Sequence, residues 1–221
     1  MSTTAPNRRR PPPRRRPAAG RRPLVWALAG VAALAVLFAI FAANRHSAGS
    51  GKGGTGGRAF SVGTPAKGEA APEIRLSSTT GAAFDLAALQ GRTVLLYFQE
   101  GIGCQPCWDQ IKDLEHSDVL RSLRVDQLVS ITSDPLNLIR QKADDMSLST
   151  TVLSDPDLSV SKTYHANSYG MMGASRDGHT FILVGPDGTI RFRADYGGAP
   201  NYTMYVKPEQ LAADIRAALV A

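Results

Sequence analysis

The apolar positions of this 221-residue chain follow two regimes. From Leu24 to Ala43, twenty residues pass without a charged or strongly polar side chain. At about 1.5 Å rise per residue they reach roughly 30 Å, the thickness of a bilayer's hydrocarbon core, so a single transmembrane helix is expected there. Beyond residue 60 the apolar stretches are short and their period changes. Thr93–Phe98 is apolar without alternation, the pattern of a central strand buried on both faces. From Pro106 the spacing becomes three and four, with Cys107, Ile111 and Leu114 on one helical face. Val125–Thr132 reads as a second buried strand. The helix after it lies in SDPLNLIRQKADDM, with Asp134 as its expected N-cap and Pro135 as its first helical residue.

Shorter elements complete the pattern. An extended piece is expected at Ile74–Leu76 before a turn at Gly81, a strand in TVLSD, and a helix over Leu158–Tyr164. HTFILVGPDGTIRFRADY reads as two strands joined by a Pro-Asp-Gly turn, and Pro208–Val220 as an amphipathic closing helix. No internal repeat is evident. Strands alternating with helices and ending on a hairpin and a helix predict an α/β fold, a central mixed sheet flanked by helices on both faces.

Charge changes the picture only at the N-terminus. The formal net charge is +6, but the first 22 residues hold eight Arg and no acid. The remaining 17 Lys and Arg stand against 19 Asp and Glu, a net of −2. A nucleic-acid footprint needs basic residues on a folded face, so that partner class is set aside. Residues 1–23 read as a disordered, Pro- and Arg-rich tail, 24–43 as the membrane helix, 44–59 as a Gly/Ser-rich linker, and 60–221 as one folded domain. The eight Arg before the apolar run outnumber Arg45, Lys52 and Arg58 just after it. The positive-inside rule then places the N-terminus in the cytoplasm and the domain outside the cell membrane. A cleaved signal peptide is the rival; IFAANRH lacks an A-x-A exit and RRPLV matches a twin-arginine signal only weakly. Both readings place the domain outside.

The candidate chemistry is GIGCQPCWDQIKDLE, which carries the chain's two cysteines, Cys104 and Cys107, in a C-x-x-C. Structural zinc needs four ligands; this pair supplies two, and His46, His116, His165 and His179 show no ligand spacing among themselves. A purely structural disulfide would close a very small loop, with a slight entropic gain. A redox dithiol fits the context. Cys104 ends a strand-to-helix loop where unpaired helix N–H groups favour a thiolate, and Cys107 in the first turn is placed to resolve a mixed disulfide. No cofactor is required. Glu100 is the acid nearest the pair and a candidate proton relay to Cys107.

With these motifs assembled, the chain resembles the thioredoxin-fold redoxins, the group of the alkyl hydroperoxide reductase/thiol-specific antioxidant (AhpC/TSA) family and the membrane-tethered TlpA-like proteins. GEAAPEIRL resembles the entry segment, LAALQGRTVLLYF the strand before the active site, GCQPCWDQIKDLE the active-site helix, and HTFILVGPDGTIRF the late hairpin. The resemblance implies a thioredoxin-like fold, with Cys104 attacking and Cys107 resolving. Its departures narrow the activity. The Pro and Thr that precede a peroxidatic cysteine are here Tyr97 and Gly101, the pocket Arg is Gly178 with Arg176 nearest, and the Trp before the motif is Gly103. The cis-Pro beside the thioredoxin active site is missing too.

The resulting expectation is a membrane-anchored, extracytoplasmic thiol–disulfide oxidoreductase. Its partners would be protein thiols and disulfides of the cell envelope and another redox protein. Peroxide reduction is the alternative. A second is a copper chaperone similar to the Sco type, with Cys104, Cys107 and His179 as ligands, although those proteins space their cysteines one residue wider. Met171 and Met172 are expected only to pack, and Asp195–Tyr205 to form an aromatic connection before the last helix.

Overall fold

A computed structural model describes residues 60–220; the tail, the apolar run of 24–43 and the linker lie outside the described residues. Among those described, no helix is long and apolar enough to cross a membrane.

Seven strands form one mixed sheet. They are β1 (Arg75–Ser78), β2 (Ala83–Asp85), β3 (Val94–Phe98), β4 (Gln127–Thr132), β5 (Thr151–Ser154), β6 (Thr180–Val184) and β7 (Ile190–Asp195), in the spatial order β2-β1-β5-β4-β3-β6-β7. β3 is parallel to β4, and β4 to β5, whereas β6 runs antiparallel to β3 and pairs with β7 as the expected hairpin. All five residues of β3 are buried, as its unbroken apolar run requires of a strand covered on both faces. The helices are α1 (Gln105–His116), α2 (Val119–Ser122), α3 (Leu136–Asp145), α4 (Ser159–Thr163) and α5 (Pro208–Val220). This is a thioredoxin-like α/β fold.

The period of two along β3 divides the core. Leu95 and Tyr97 pack on one face with Trp108, Ile111 and Leu114 of α1 and with Leu211 and Ile215 of α5. Val94, Leu96 and Phe98 pack on the other with Val160, Tyr164, Ile74 and Phe84.

Two local readings are corrected. Asp134 does not cap α3, whose N-cap position is Pro135 with no side-chain cap bond; its carboxylate is drawn to the active-site loop instead. The strands β2 and the one-turn helix α2 escaped the sequence pattern because three or four residues are too short to display a period.

Arg193 and Asp195 on β7 form an ion pair with both side chains wholly inaccessible, Nη2 to Oδ1 at 2.9 Å. The charges are well served. Arg193 Nη1 donates to the Tyr164 carbonyl at 2.9 Å and the Pro65 carbonyl at 3.2 Å, while Asp195 accepts from Thr180 Oγ1 at 2.8 Å and Gly63 N at 2.6 Å. The pair thereby fastens the entry segment to β6 and β7. Removing one partner leaves a buried charge uncompensated, so Asp195→Ala is expected to lower the unfolding free energy by about 3–5 kcal/mol. The same denaturant titration should give less than about 1 kcal/mol for Arg191→Ala, which loses only an exposed pair with Asp187.

Candidate active site

The carboxyl end of β3 delivers the chain, through Gln99–Gly103, to the N-terminus of α1. In an open α/β sheet this edge is where binding and catalytic groups collect. The loop is tightly specified. Gly101 has φ +90°, a left-handed conformation that favours glycine, and a Cβ there would overlap the Asp134 carboxylate and the Thr132 hydroxyl. Gln99 Oε1 accepts from Gly101 N at 3.1 Å, and Asp134 Oδ2 accepts from Ile102 N at 2.6 Å. The Gly101 carbonyl receives both Cys104 N at 2.9 Å and Trp108 Nε1 at 3.0 Å, which folds the loop back onto α1.

Cys104 is the N-cap residue of α1, Pro106 lies in its first turn, and Cys104 and Cys107 are joined in a disulfide with Cα atoms 5.3 Å apart. The two sulfurs are not equivalent. Cys104 retains 7% of its surface and Cys107 none. Only Cys104 can be reached from solvent, and it sits where the positive end of the helix macrodipole stabilises a thiolate.

Behind Cys107 lies a contact that the sequence does not reveal. The Tyr97 hydroxyl, 3.3 Å from the Cys107 carbonyl, is 2.8 Å from His179 Nδ1, across 82 positions of chain. His179 immediately precedes β6 and is fully buried among Tyr97, Phe181 and Tyr196. Burial pushes its pKa down to about 3, so the ring is neutral at physiological pH. Burial, with the Glu100 charge adding to it, holds the Tyr97 phenol well above its ordinary value. The antiparallel pairing of β3 with β6 makes this meeting, setting Tyr97 opposite Phe181 and His179 two residues before it. His179 Nε2 has no hydrogen-bond partner. Among the described residues, no group of three His, Cys, Asp or Glu side chains is arranged to hold a metal ion.

The positions where the resemblance led one to expect a peroxide pocket are otherwise engaged. The Tyr97 ring is stacked on Phe181, centroids 4.4 Å apart, inside the core. Gly101 has no room for a side chain, and a Cβ on Gly178 would overlap the Tyr169 carbonyl. Arg176 gives Nη1 to Asp134 Oδ1 at 2.8 Å and to the Glu100 carbonyl at 3.1 Å. Glu100 is engaged as well. Its Oε1 accepts from Met171 N at 2.6 Å and Met172 N at 3.3 Å, tying the loop before β6 to the active-site loop. The methionines do not pack: they are 62% and 59% exposed.

Asp177, next to Arg176, is wholly buried with both carboxylate oxygens unpartnered. The nearby Ser161 hydroxyl is given to Asp155 Oδ2 at 2.6 Å. Burial chiefly, with the charges of Asp155 and Asp134 adding to it and Ser161 and Arg176 opposing, pushes the Asp177 carboxyl up to about 8. An acid whose pKa is higher folded than unfolded holds its proton more tightly in the native state. Its contribution to stability is complete below the unfolded value of about 4 and is lost as pH rises through the folded value. Buried, neutral His179 acts in the opposite sense up to its ordinary value of about 6.5, so the thermal midpoint is expected to fall between about pH 6.5 and pH 8, and Asp177→Asn to flatten that slope. A decline of equal steepness in the variant would assign it to other groups.

The family model described as AhpC/TSA family matches residues 67–193. No curated protein sequence matches the chain. Among solved structures, peroxidoxin BcpB of Mycobacterium tuberculosis is similar at 17% identity and TM-score 0.57, covering 69% of this chain and 97% of its own. AhpC of Enterococcus faecalis is similar at 14% identity and TM-score 0.57, over 70% and 92%. A Chlorobium tepidum protein described as a thiol:disulfide interchange protein, DsbE, is similar at 23% identity and TM-score 0.53, over 72% and 99%. At these identities the likeness is one of fold.

Proposed function

The chain belongs to the AhpC/TSA family of redoxins and is a redox enzyme, and from that premise we propose that it is a thiol–disulfide oxidoreductase working through Cys104 and Cys107. The observation that carries this reading is the asymmetric disulfide at the start of α1, with one sulfur just accessible and its partner enclosed. In the oxidising direction a substrate thiolate attacks Cys104 Sγ, the bond to Cys107 breaks, and Cys107 leaves with the electron pair and takes up a proton. A second substrate thiolate then attacks the substrate sulfur of the mixed disulfide, releasing oxidised substrate and the dithiol. The reducing direction runs these steps backwards, with the Cys104 thiolate attacking the substrate disulfide. Two electrons move, one S–S bond is exchanged for another, and no cofactor enters.

Support against peroxide reduction comes from this loop and from the segment before β6. A peroxidatic site needs groups that hold the peroxide beside the sulfur. Here Gly101 and Gly178 admit no side chain, and Arg176 is spent on Asp134 and the Glu100 carbonyl. Reduction of protein disulfides is expected to be lost in Cys104→Ser. Cys107→Ser should accumulate a mixed disulfide through Cys104, visible by mass under non-reducing conditions. Hydrogen peroxide consumption that exceeds disulfide turnover, with sulfenate on Cys104, would reverse the assignment.

For the setting, the reading retains the anchor and the orientation argued from charge. Residues 24–43 hold the protein in the cell membrane, the N-terminus is cytoplasmic, and the redoxin domain faces outward. The uncharged run of Leu24–Ala43 and the Arg excess ahead of it support this arrangement. Its partners are then envelope proteins carrying thiols or disulfides and a second redox protein that resets the couple. Alkaline carbonate extraction should leave the full chain in the membrane pellet, and an impermeant thiol reagent should label reduced Cys104 in intact cells. Recovery in the soluble fraction, or protection from the reagent, would move the domain elsewhere.

A further inference from the structure

We propose that Tyr97 and His179 are positioning residues for Cys107: the buried pair holds the resolving cysteine in place while its disulfide is open, and so favours closure of the mixed disulfide. This role rests on the thiol–disulfide exchange reading and assigns further residues to that same site.

The hydrogens can be counted. The Tyr97 hydroxyl has one to give, and it donates that one to the Cys107 carbonyl, 3.3 Å away. The 2.8 Å contact with His179 Nδ1 must then use the hydrogen on that nitrogen. A neutral ring protonated there leaves Nε2 a bare lone pair, in keeping with its lack of any partner. The opposite tautomer would bury an N–H without an acceptor and draw the hydroxyl away from the carbonyl. A chain of donation therefore runs from His179 through Tyr97 to Cys107.

The start of α1 needs such a support. Cys104 at the N-cap position makes no side-chain cap bond, and Pro106 has no N–H to give. The first turn, which carries both sulfurs, is tied by the disulfide, by Trp108 Nε1 on the Gly101 carbonyl and by Tyr97 on Cys107. Opening the disulfide removes the first of these, and uncapped helix ends fray. The Tyr97 hydroxyl stands on a different element and does not move with α1. Its ring lies on β3, stacked on Phe181 with centroids 4.4 Å apart, and His179 is held two residues before Phe181 by the pairing of β3 with β6.

Closure depends on where Cys107 is. Its thiol gives up a proton, its sulfur bonds to Cys104 Sγ, and the substrate sulfur leaves with the electron pair and takes up a proton. A first turn that wanders lowers the local concentration of Cys107 at Cys104, and a fixed one raises it. The pair thus acts on the resolving step and not on the attack by Cys104.

The test equilibrates the full-length protein with mixtures of reduced and oxidised glutathione, quenches in acid, and counts dithiol, glutathione mixed disulfide and internal disulfide by mass. Tyr97→Phe keeps the stacked ring and removes only the hydroxyl. At fixed reduced glutathione it is expected to raise the ratio of mixed to internal disulfide roughly threefold to tenfold, with the ratio of dithiol to mixed disulfide unchanged. His179→Leu should act in the same direction, and His179→Asn, whose amide N–H can stand in for Nδ1–H, should restore closure. Tyr164→Phe, which loses a hydroxyl bond to the Pro72 carbonyl on the other face of the sheet, should change neither ratio. Nitrogen NMR of the protein with isotope-labelled histidine should find the His179 hydrogen on Nδ1. Wild-type ratios in Tyr97→Phe, a parallel shift of both ratios, or a hydrogen on Nε2 would overturn the pair while leaving exchange standing. A disulfide that glutathione neither opens nor forms at any ratio would instead sink the exchange reading, and the pair's role with it.

Discussion

The active-site loop is held in place by one buried carboxylate, that of Asp134, and most of what distinguishes this site depends on it. Asp134 stands just beyond the carboxyl end of β4, beside the strand that feeds the cysteines. One oxygen takes the backbone N–H of Ile102 and the hydroxyl of Thr132, the other the guanidinium of Arg176. Gly101 must be glycine because the carboxylate fills the space its side chain would need. The charge of Arg176 is answered by Asp134, and its Nη1 also reaches the Glu100 carbonyl. The loop is shaped from the outside in, by a neighbouring strand, and the cysteines receive the result.

A second feature is the separation of polar and apolar support around the disulfide. On the side of β6 the backing is neutral: the His179 ring, stripped of its charge by burial, meets the Tyr97 hydroxyl, which reaches the Cys107 carbonyl. Beyond β4 and β5 the support is acidic, with Asp134 and Asp155 buried and Arg176 the guanidinium between Asp134 and the loop. Glu100 joins the two sides, with its carboxylate on one loop and its carbonyl under Arg176.

Much of the fold was legible because it is written in periods. The uninterrupted run of β3, the three-and-four spacing of α1 and the hairpin with its Pro-Asp-Gly turn each bury a face that only one element type can bury. The cysteine pair was legible for a similar reason, since a helix start following a buried strand places both sulfurs by local geometry. What stayed hidden was contact across the chain. Asp134 read as an N-cap because Asp-Pro before a helix is a sound local signal, and tertiary demand overrode it. Met171 and Met172 read as packing residues, yet both are exposed. An acid at the carboxyl end of β4 was the one available hint, because that edge of the sheet is where sites form.

The sequence by itself determined the α/β alternation and the C-x-x-C at a helix N-terminus. These rest on residues within a few positions of one another, where backbone geometry translates spacing into place. The tertiary structure alone decided that Cys107 is enclosed while Cys104 is not, that Tyr97 meets His179, and that Asp134 and Glu100 hold the loop. Those outcomes need strands far apart in sequence to be set side by side, and strand order and register are properties of the assembled sheet rather than of any window of residues.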